Sequence, residues 1–317
     1  MRLIACGAVL AVLIGSTFCA SSEVLRERAA RPCGSFGDPA ALGMNTAGRP
    51  VAFARDRVVW AFANYARRDA TCHVIRGVVD AAMTPTDGFW IAHGNVVDYV
   101  APLSDGGSYV PRTIRPGGTA DNVQAIALNH AQQIEIALSS GGNEAKPRLL
   151  LFDRLANGAA TPLRTVASSQ LSSPIDSIAF DARGELYAYD RSGKVLEFQS
   201  NANGSDVSPR RIIAGWRTQL RPATAASRGT RHVVVDANGN LIATDAGIAI
   251  TFAANASGNA TPVDVFGTDG PSYGIALDRA GQVYSLAHES IGIYAPLATR
   301  LAANHTASSL QTLEIER

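Results

Sequence analysis

Short apolar runs broken by turns that open on Asp or Asn and close on Gly fill the chain from about residue 39 onward, and two stretches repeat that pattern closely. Between Ser177 and Gly215 the runs "SIAF", "ELYAY", "KVLEF" and "RRIIAG" are separated by "DARG", "DRSG" and the polar "QSNANGSDVSP". From His232 to Gly267 the same order returns as "HVVVDANGNLIATDAGIAITFAANASGNATPVDVFG". Runs this short, rich in aliphatic and aromatic residues, predict strands rather than helices. Asp at the first turn position and Gly at the last predict tight reversals. Each stretch therefore reads as four strands joined in sequence, an antiparallel meander.

Four further copies extend the pattern. "GIALDRAGQVYSLAHESIGIYAP" begins at Gly274, and "AIALNHAQQIEIAL" begins at Ala125 with Gln132 where the turn glycine stands. The copy from Ala41 uses "NTAG" as its turn, and that from Ala81, "AAMTPTDGFWIAHGNVVDYV", has the weakest first strand, with Pro85 near its end. First-strand anchors at Leu42, Ala82, Ile126, Ile178, Val233 and Ile275 lie 40, 44, 52, 55 and 42 residues apart. A constant core with variable loops predicts radially repeated four-stranded sheets, because one such sheet cannot bury both faces alone. The fold class is all-β, a six-bladed β-propeller over residues 39–316, with "LQTLEI" near the C-terminus supplying the outer strand of the last blade.

The units resemble those of six-bladed NHL-repeat propellers, particularly exported bacterial ones. The likeness is carried by "DANGNLIATDAG" with "ASGNATPVDVFG", and by "DARGELYAYDRSG" with "NANGSDVSPRRIIAG". It implies the architecture over roughly residues 38–316 and says little about activity, since that family holds ligand scaffolds beside relatives of lyases and hydrolases.

Composition narrows the partners. Hydrophobic residues make up 46% of the 317, charged residues 17%, and the formal charge is +1, so no basic surface for nucleic acid is expected. Lysine occurs only at Lys146 and Lys194 against abundant arginine, a bias matching a GC-rich bacterial genome. The opening "MRLIACGAVLAVLIGSTFCASS" has one Arg, then an apolar core too short to span a bilayer, which predicts a signal peptide over 1–22 and export to the periplasm or medium. Cys19 offers lipidation as the alternative and the only route to a membrane, although Phe18 before it suits that processing poorly. Residues 23–38 read as a linker. Cys33 and Cys72 then remain as one pair, and an oxidising compartment favours a disulfide between them.

Candidate chemistry is drawn from loops expected to gather at one end of the channel. Residues two before the anchors are Ala40, Asp80, Gln124, Asp176, Arg231 and Tyr273; second-to-third turns carry His93, Asp190, Asp245, His288 and Glu289, with His232 beside Arg231. Asp190 and Asp245 read as turn-forming residues, while His73 and His130 are expected away from this face. The mixed set of Asp80, His93, Gln124, Asp176, Arg231, His232, Tyr273 and His288 suits hydrogen bonding to a protein, peptide or glycan without a cofactor. The alternative is a metal-dependent hydrolase or lyase, lactonase-like, in which His93, His232, His288 and Asp176 hold one Zn or Ca and activate water. No nucleophile elbow, phosphate-cradling loop or zinc-protease helix motif is present. The sequons at Asn203, Asn255, Asn259 and Asn304 read as turn chemistry.

Overall fold

The computed structural model describes residues 38–55, 59–61, 77–101, 112–118, 121–140, 146–224, 231–288, 290–302 and 311–314. The predicted leader, Cys19, Cys33, Cys72, His73 and Glu289 lie outside them. The first sheet holds β1 (Pro39–Met44), β2 (Pro50–Ala54) and β3 (Val59–Ala61). The second holds β4 (Val78–Met83), β5 (Phe89–His93), β6 (Val96–Val100) and β7 (Arg112–Ile114). In the third are β8 (Asp121–Leu128), β9 (Ile134–Ser140), β10 (Arg148–Phe152) and β11 (Arg164–Ala167). The fourth comprises β12 (Ile175–Phe180), β13 (Leu186–Asp190), β14 (Val195–Phe198) and β15 (Arg211–Ile213). The fifth contains β16 (Val233–Val235), β17 (Leu241–Asp245), β18 (Ile248–Phe252) and β19 (Asp264–Gly267). The last has β20 (Ile275–Leu277), β21 (Val283–Leu286), β22 (Ser290–Tyr294) and β23 (Gln311–Glu314), with α1 (Leu297–Ala302) before β23.

Every neighbouring pair is antiparallel, and each sheet runs in chain order from its first strand to its last. The first strands touch in the cyclic order β1, β4, β8, β12, β16, β20 and back to β1. The molecule is a β-propeller of four-stranded antiparallel blades, with the first strands around its axis. At the seam, a Cβ on Gly274 would lie 2.5 Å from the backbone nitrogen of Leu42, so only glycine lets the last first-strand approach β1 this closely.

Buried side chains come from both faces of each sheet. Leu196 and Phe198 pack with Ala137, Leu149 and Val166 of the third sheet, while Tyr187 and Tyr189, on the other face of the fourth, meet Leu241, Ile250 and Phe252 of the fifth. Each such residue withdrawn from water contributes about 1.5–3 kcal/mol, which a blade by itself would forfeit on one face.

Local turn chemistry sets the meander. In the first-to-second turns Asp181, Asp236 and Asp278 each accept two backbone N–H groups with one carboxylate oxygen, and the side-chain oxygens of Asn45 and Asn129 take a backbone N–H in the same way. The fourth residue is left-handed: Gly48, Gly184, Gly239 and Gly281 in four units, but Asp87 and Gln132, both at φ 61°, in the other two. The sequence anchor Ala82 places Gly88 at this position; the left-handed residue is Asp87, so the second unit is aligned one residue late.

The polar third-to-fourth loops explain the "NG" and "SG" signatures. Gly158 donates its N–H to Thr113 and accepts from Arg115, pairing parallel with β7 of the preceding sheet. Gly204 does the same beside β11, and Gly258 beside β15. Asn157 and Asn203 add side-chain acceptors for the N–H groups of Thr113 and Thr165. Arginines at the head of the outer strands complete the link: Arg112, Arg164 and Arg211 donate to the carbonyls of Arg154, Ser200 and Ala254, each in the next unit's loop. Arg164 is also paired with buried Glu135 and Arg211 with buried Glu197, whereas Arg112 lies over the rings of Trp90 and Tyr99.

Candidate functional site

First strands begin at one end of the channel, here the upper face, and their turns into the second strands form the lower face. Near the upper end the first strands carry an extra residue, so that Pro39 and Ala41, Val78 and Asp80, Val123 and Ala125, and Ile175 and Ser177 face consecutive partners across the ladder. The bulged residues are Ala40, Val79, Gln124 and Asp176. Tyr273 bulges likewise, since its N–H and that of Leu286 bridge Leu286 and Gly274. A bulge turns a side chain out of the alternating pattern and towards the channel mouth.

Three of the predicted residues meet in one network. Arg191, in the turn after β13, donates from Nε to Asp176 at 2.7 Å and from Nη2 to Gln124 at 3.1 Å. Arg231 has no exposure; its Nη2 donates to Asp245 at 3.2 Å, its Nη1 to the carbonyls of Asp190 and Arg191, and its guanidinium lies 5.0 Å from the ring of Tyr189. Asp176 Oδ2 stands 4.0 Å from Arg231. Asp190 closes its own turn by accepting from Ser192 and Lys194. Burial pushes the carboxyls of Asp176 and Asp190 above the ordinary range, opposed at Asp176 by its bond to Arg191 and at Asp190 by its bond to Ser192. A third of the Arg191 side chain is exposed, so it presents a guanidinium already fixed in orientation.

The remaining candidates stand apart from this network. Asp80 is one residue past the bulge, and its carboxylate accepts from Ala81 and from Ile126 of the next sheet. Ser177, at the equivalent place, accepts from Val233 in the same way, so both join neighbouring first strands. Burial raises Asp80 to about 7 against those two backbone donors. His93 Nε2 is 2.7 Å from Asp98, which also accepts from Thr113; although burial works against it, these bonds hold the Asp98 carboxyl below its usual value. His288 lies 3.5 Å from Asp38 and edge-on to Tyr273, at the seam between last and first sheets. The His232 backbone N–H donates to Thr244 Oγ1. Among the described residues no three His, Cys, Asp or Glu side chains are grouped to hold a metal ion. His130 is on the lower face, its ring 3.2 Å from the Asp181 carbonyl.

The lower mouth holds an open cavity of about 540 Å³. Its lining includes Met44, Met83, Leu128 and Phe180, the final residues of β1, β4, β8 and β12, together with polar residues of the turns that follow them. Sequence reading missed this cavity, along with Arg191. The first would have been signalled by the apolar residue that closes every first strand, the second by its place beside Asp190 in a turn already assigned to the upper face.

Comparisons with known proteins support the fold alone. No protein-family model matches the chain, and no curated protein matches it in sequence. Solved structures match in 950 chains, a breadth that singles out no activity. One is a chain from the "Crystal Structure of Mitotic Checkpoint Complex", with a TM-score of 0.50 at 13% identity. The match covers 74% of this chain and 63% of that one.

Proposed function

We propose that the chain is an exported, non-enzymatic propeller of the NHL-repeat type, with the three-stranded sheet as its sixth blade, that binds a protein partner on the upper face. The observation that carries this reading is the mounting of Arg191. Asp176 and Gln124 fix its guanidinium while a third of the side chain faces solvent, an orientation suited to a carboxylate or carbonyl on an incoming surface. Pre-organisation of this kind lowers the entropy lost on binding. The NHL resemblance and the apolar leader support the family and the export.

A photo-crosslinking side chain at Val79, exposed on the upper bulge, tests the reading, with Leu155 on an outer loop as control. Adducts formed at Val79 in the exported fraction of the native host, absent at Leu155, sensitive to protease and lost in Arg191→Ala and Gln124→Ala, are expected. Adducts indifferent to both substitutions would overturn the upper-face assignment, and glycosidase-sensitive adducts would make the partner a glycan.

A further inference from the structure

The lower mouth differs from the upper network in charge and in chemistry. Its lining sets the apolar side chains of Met44, Met83, Leu128 and Phe180 among polar turn residues, and it contains Arg279 and His130 but no carboxylate. The nearby turn residues Asp181 and Asp278 each commit a carboxylate oxygen to two backbone N–H groups. Arg279 makes no hydrogen bond or ion pair among the described residues, so its guanidinium is available to an anion at the mouth.

Gln132 adds an independent observation. It lines the same cavity and holds a left-handed backbone where four of the other units place glycine. Its Oε1 is buried without a hydrogen-bond partner. A side chain kept at a strained position with an unfilled acceptor is costly for stability alone, and such positions cluster at binding sites.

We propose that the lower mouth binds the C-terminal tail of a polypeptide whose last side chain is apolar. The terminal carboxylate pairs with Arg279, the side chain rests on Met44, Met83, Leu128 and Phe180, and a backbone N–H of the tail donates to Gln132 Oε1. An apolar group, an anion and an amide donor occur together in the last residues of a peptide, and the cavity falls within the usual size range of ligand sites. Charge complementarity selects this occupant over a neutral apolar one. The site is separate from the upper face and does not depend on that reading.

Fluorescence anisotropy with labelled pentapeptides, varied over the last two positions, tests the proposal. Free-acid members ending in Leu, Met or Phe are expected to bind, with amidation of the C-terminus weakening them about tenfold or more, the usual size for a lost charge-assisted hydrogen bond. Arg279→Gln should produce the same loss and abolish the difference between acid and amide. Gln132→Gly should weaken the peptide while raising the melting temperature, a combination that a purely structural glutamine would not give. The proposal is overturned if no member of the panel binds, if acid and amide bind equally, or if Arg279→Gln leaves affinity unchanged. Competition by phenylacetate as strong as by the peptide would reassign the site to small apolar acids. None of these outcomes involves Arg191 or Gln124, so they leave the upper-face test untouched.

Discussion

Replacing Arg231 with Met removes a cation at the centre of the upper network while keeping an apolar side chain to fill its space. Arg231 is fully buried, Asp245 faces it at 3.2 Å, and Asp176 lies 4.0 Å away. Both carboxylate side chains are at least 95% buried, so water cannot replace the lost charge. Breaking a buried pair from one side costs about 3–5 kcal/mol, because the remaining ion keeps its desolvation penalty. For a domain of this size that loss corresponds to a fall of roughly 6–20 °C in Tm. Thermal melts by circular dichroism at pH 8 measure it. A second substitution separates charge from packing: Asp245→Asn keeps an acceptor for the Arg221 N–H and removes the unpaired ion. Arg231→Met with Asp245→Asn should recover about half of the loss or more. In the single variant Asp176 loses the Arg231 charge that opposes its burial, so the defect should shrink from pH 8 to pH 5 as this buried carboxylate takes up a proton more readily than in the unfolded chain. If Arg231→Met melts with the wild type, or the second substitution restores nothing, the network does not contribute as buried charge.

Two further outcomes follow from other parts of the ring. The Asp80 carboxyl, near 7 in the folded protein against 3.8 unfolded, binds more protons when folded; stability contributed by this group is therefore greatest at low pH and falls by about 1.4 kcal/mol from pH 6 to pH 8. Asp80→Asn should flatten that part of the urea-stability profile, and an unchanged slope would assign the titration elsewhere. Among the outer-strand arginines, Arg164→Ala strands buried Glu135 whereas Arg112→Ala loses a stacked contact, each also losing one bond to a carbonyl, so the first should cost about 3 kcal/mol and the second about 1 kcal/mol in thermal melts; equal costs would contradict the pairing logic.

Much of the architecture was legible because it depends on local turn chemistry. Asp181, Asp236 and Asp278 act on backbone groups two and four residues away, so their turns can be read from a few letters, and Asn45 and Asn129 keep the bond four residues on. The slip at the second unit has an equally local origin, since Gly88 follows the left-handed residue Asp87 and imitates its role. The site was less legible. Asp176, Gln124 and Arg231 could be placed on one face by counting from strand anchors, but their partner Arg191 depends on which turn faces the axis and on reach between sheets, with Gln124 67 residues away in sequence. The lower cavity escaped for another reason: Met44, Met83, Leu128 and Phe180 look like ordinary core residues until the ring places four of them around one opening.

The loops that carry Gly158, Gly204 and Gly258 always belong to a later unit than the outer strand they bind. Thr113 waits 44 residues for Asn157, and Thr165 waits 38 for Asn203. A chain emerging from its N-terminus at about 5–20 residues per second thus leaves each outer edge open for seconds before its clasp is made. Assembly acquires a direction: the sheets that end in β7, β11 and β15 are each finished by the next one, and a chain interrupted between them ends on an unclasped edge. The sheet that begins with β20 meets the first sheet instead, and its outer edge is built from β23, which follows α1, where Arg300 engages Asp264 at the head of β19. The ring itself closes elsewhere, where β20 meets β1 and Gly274 lies against Leu42, so sealing the ring and finishing its outer edge are separate events.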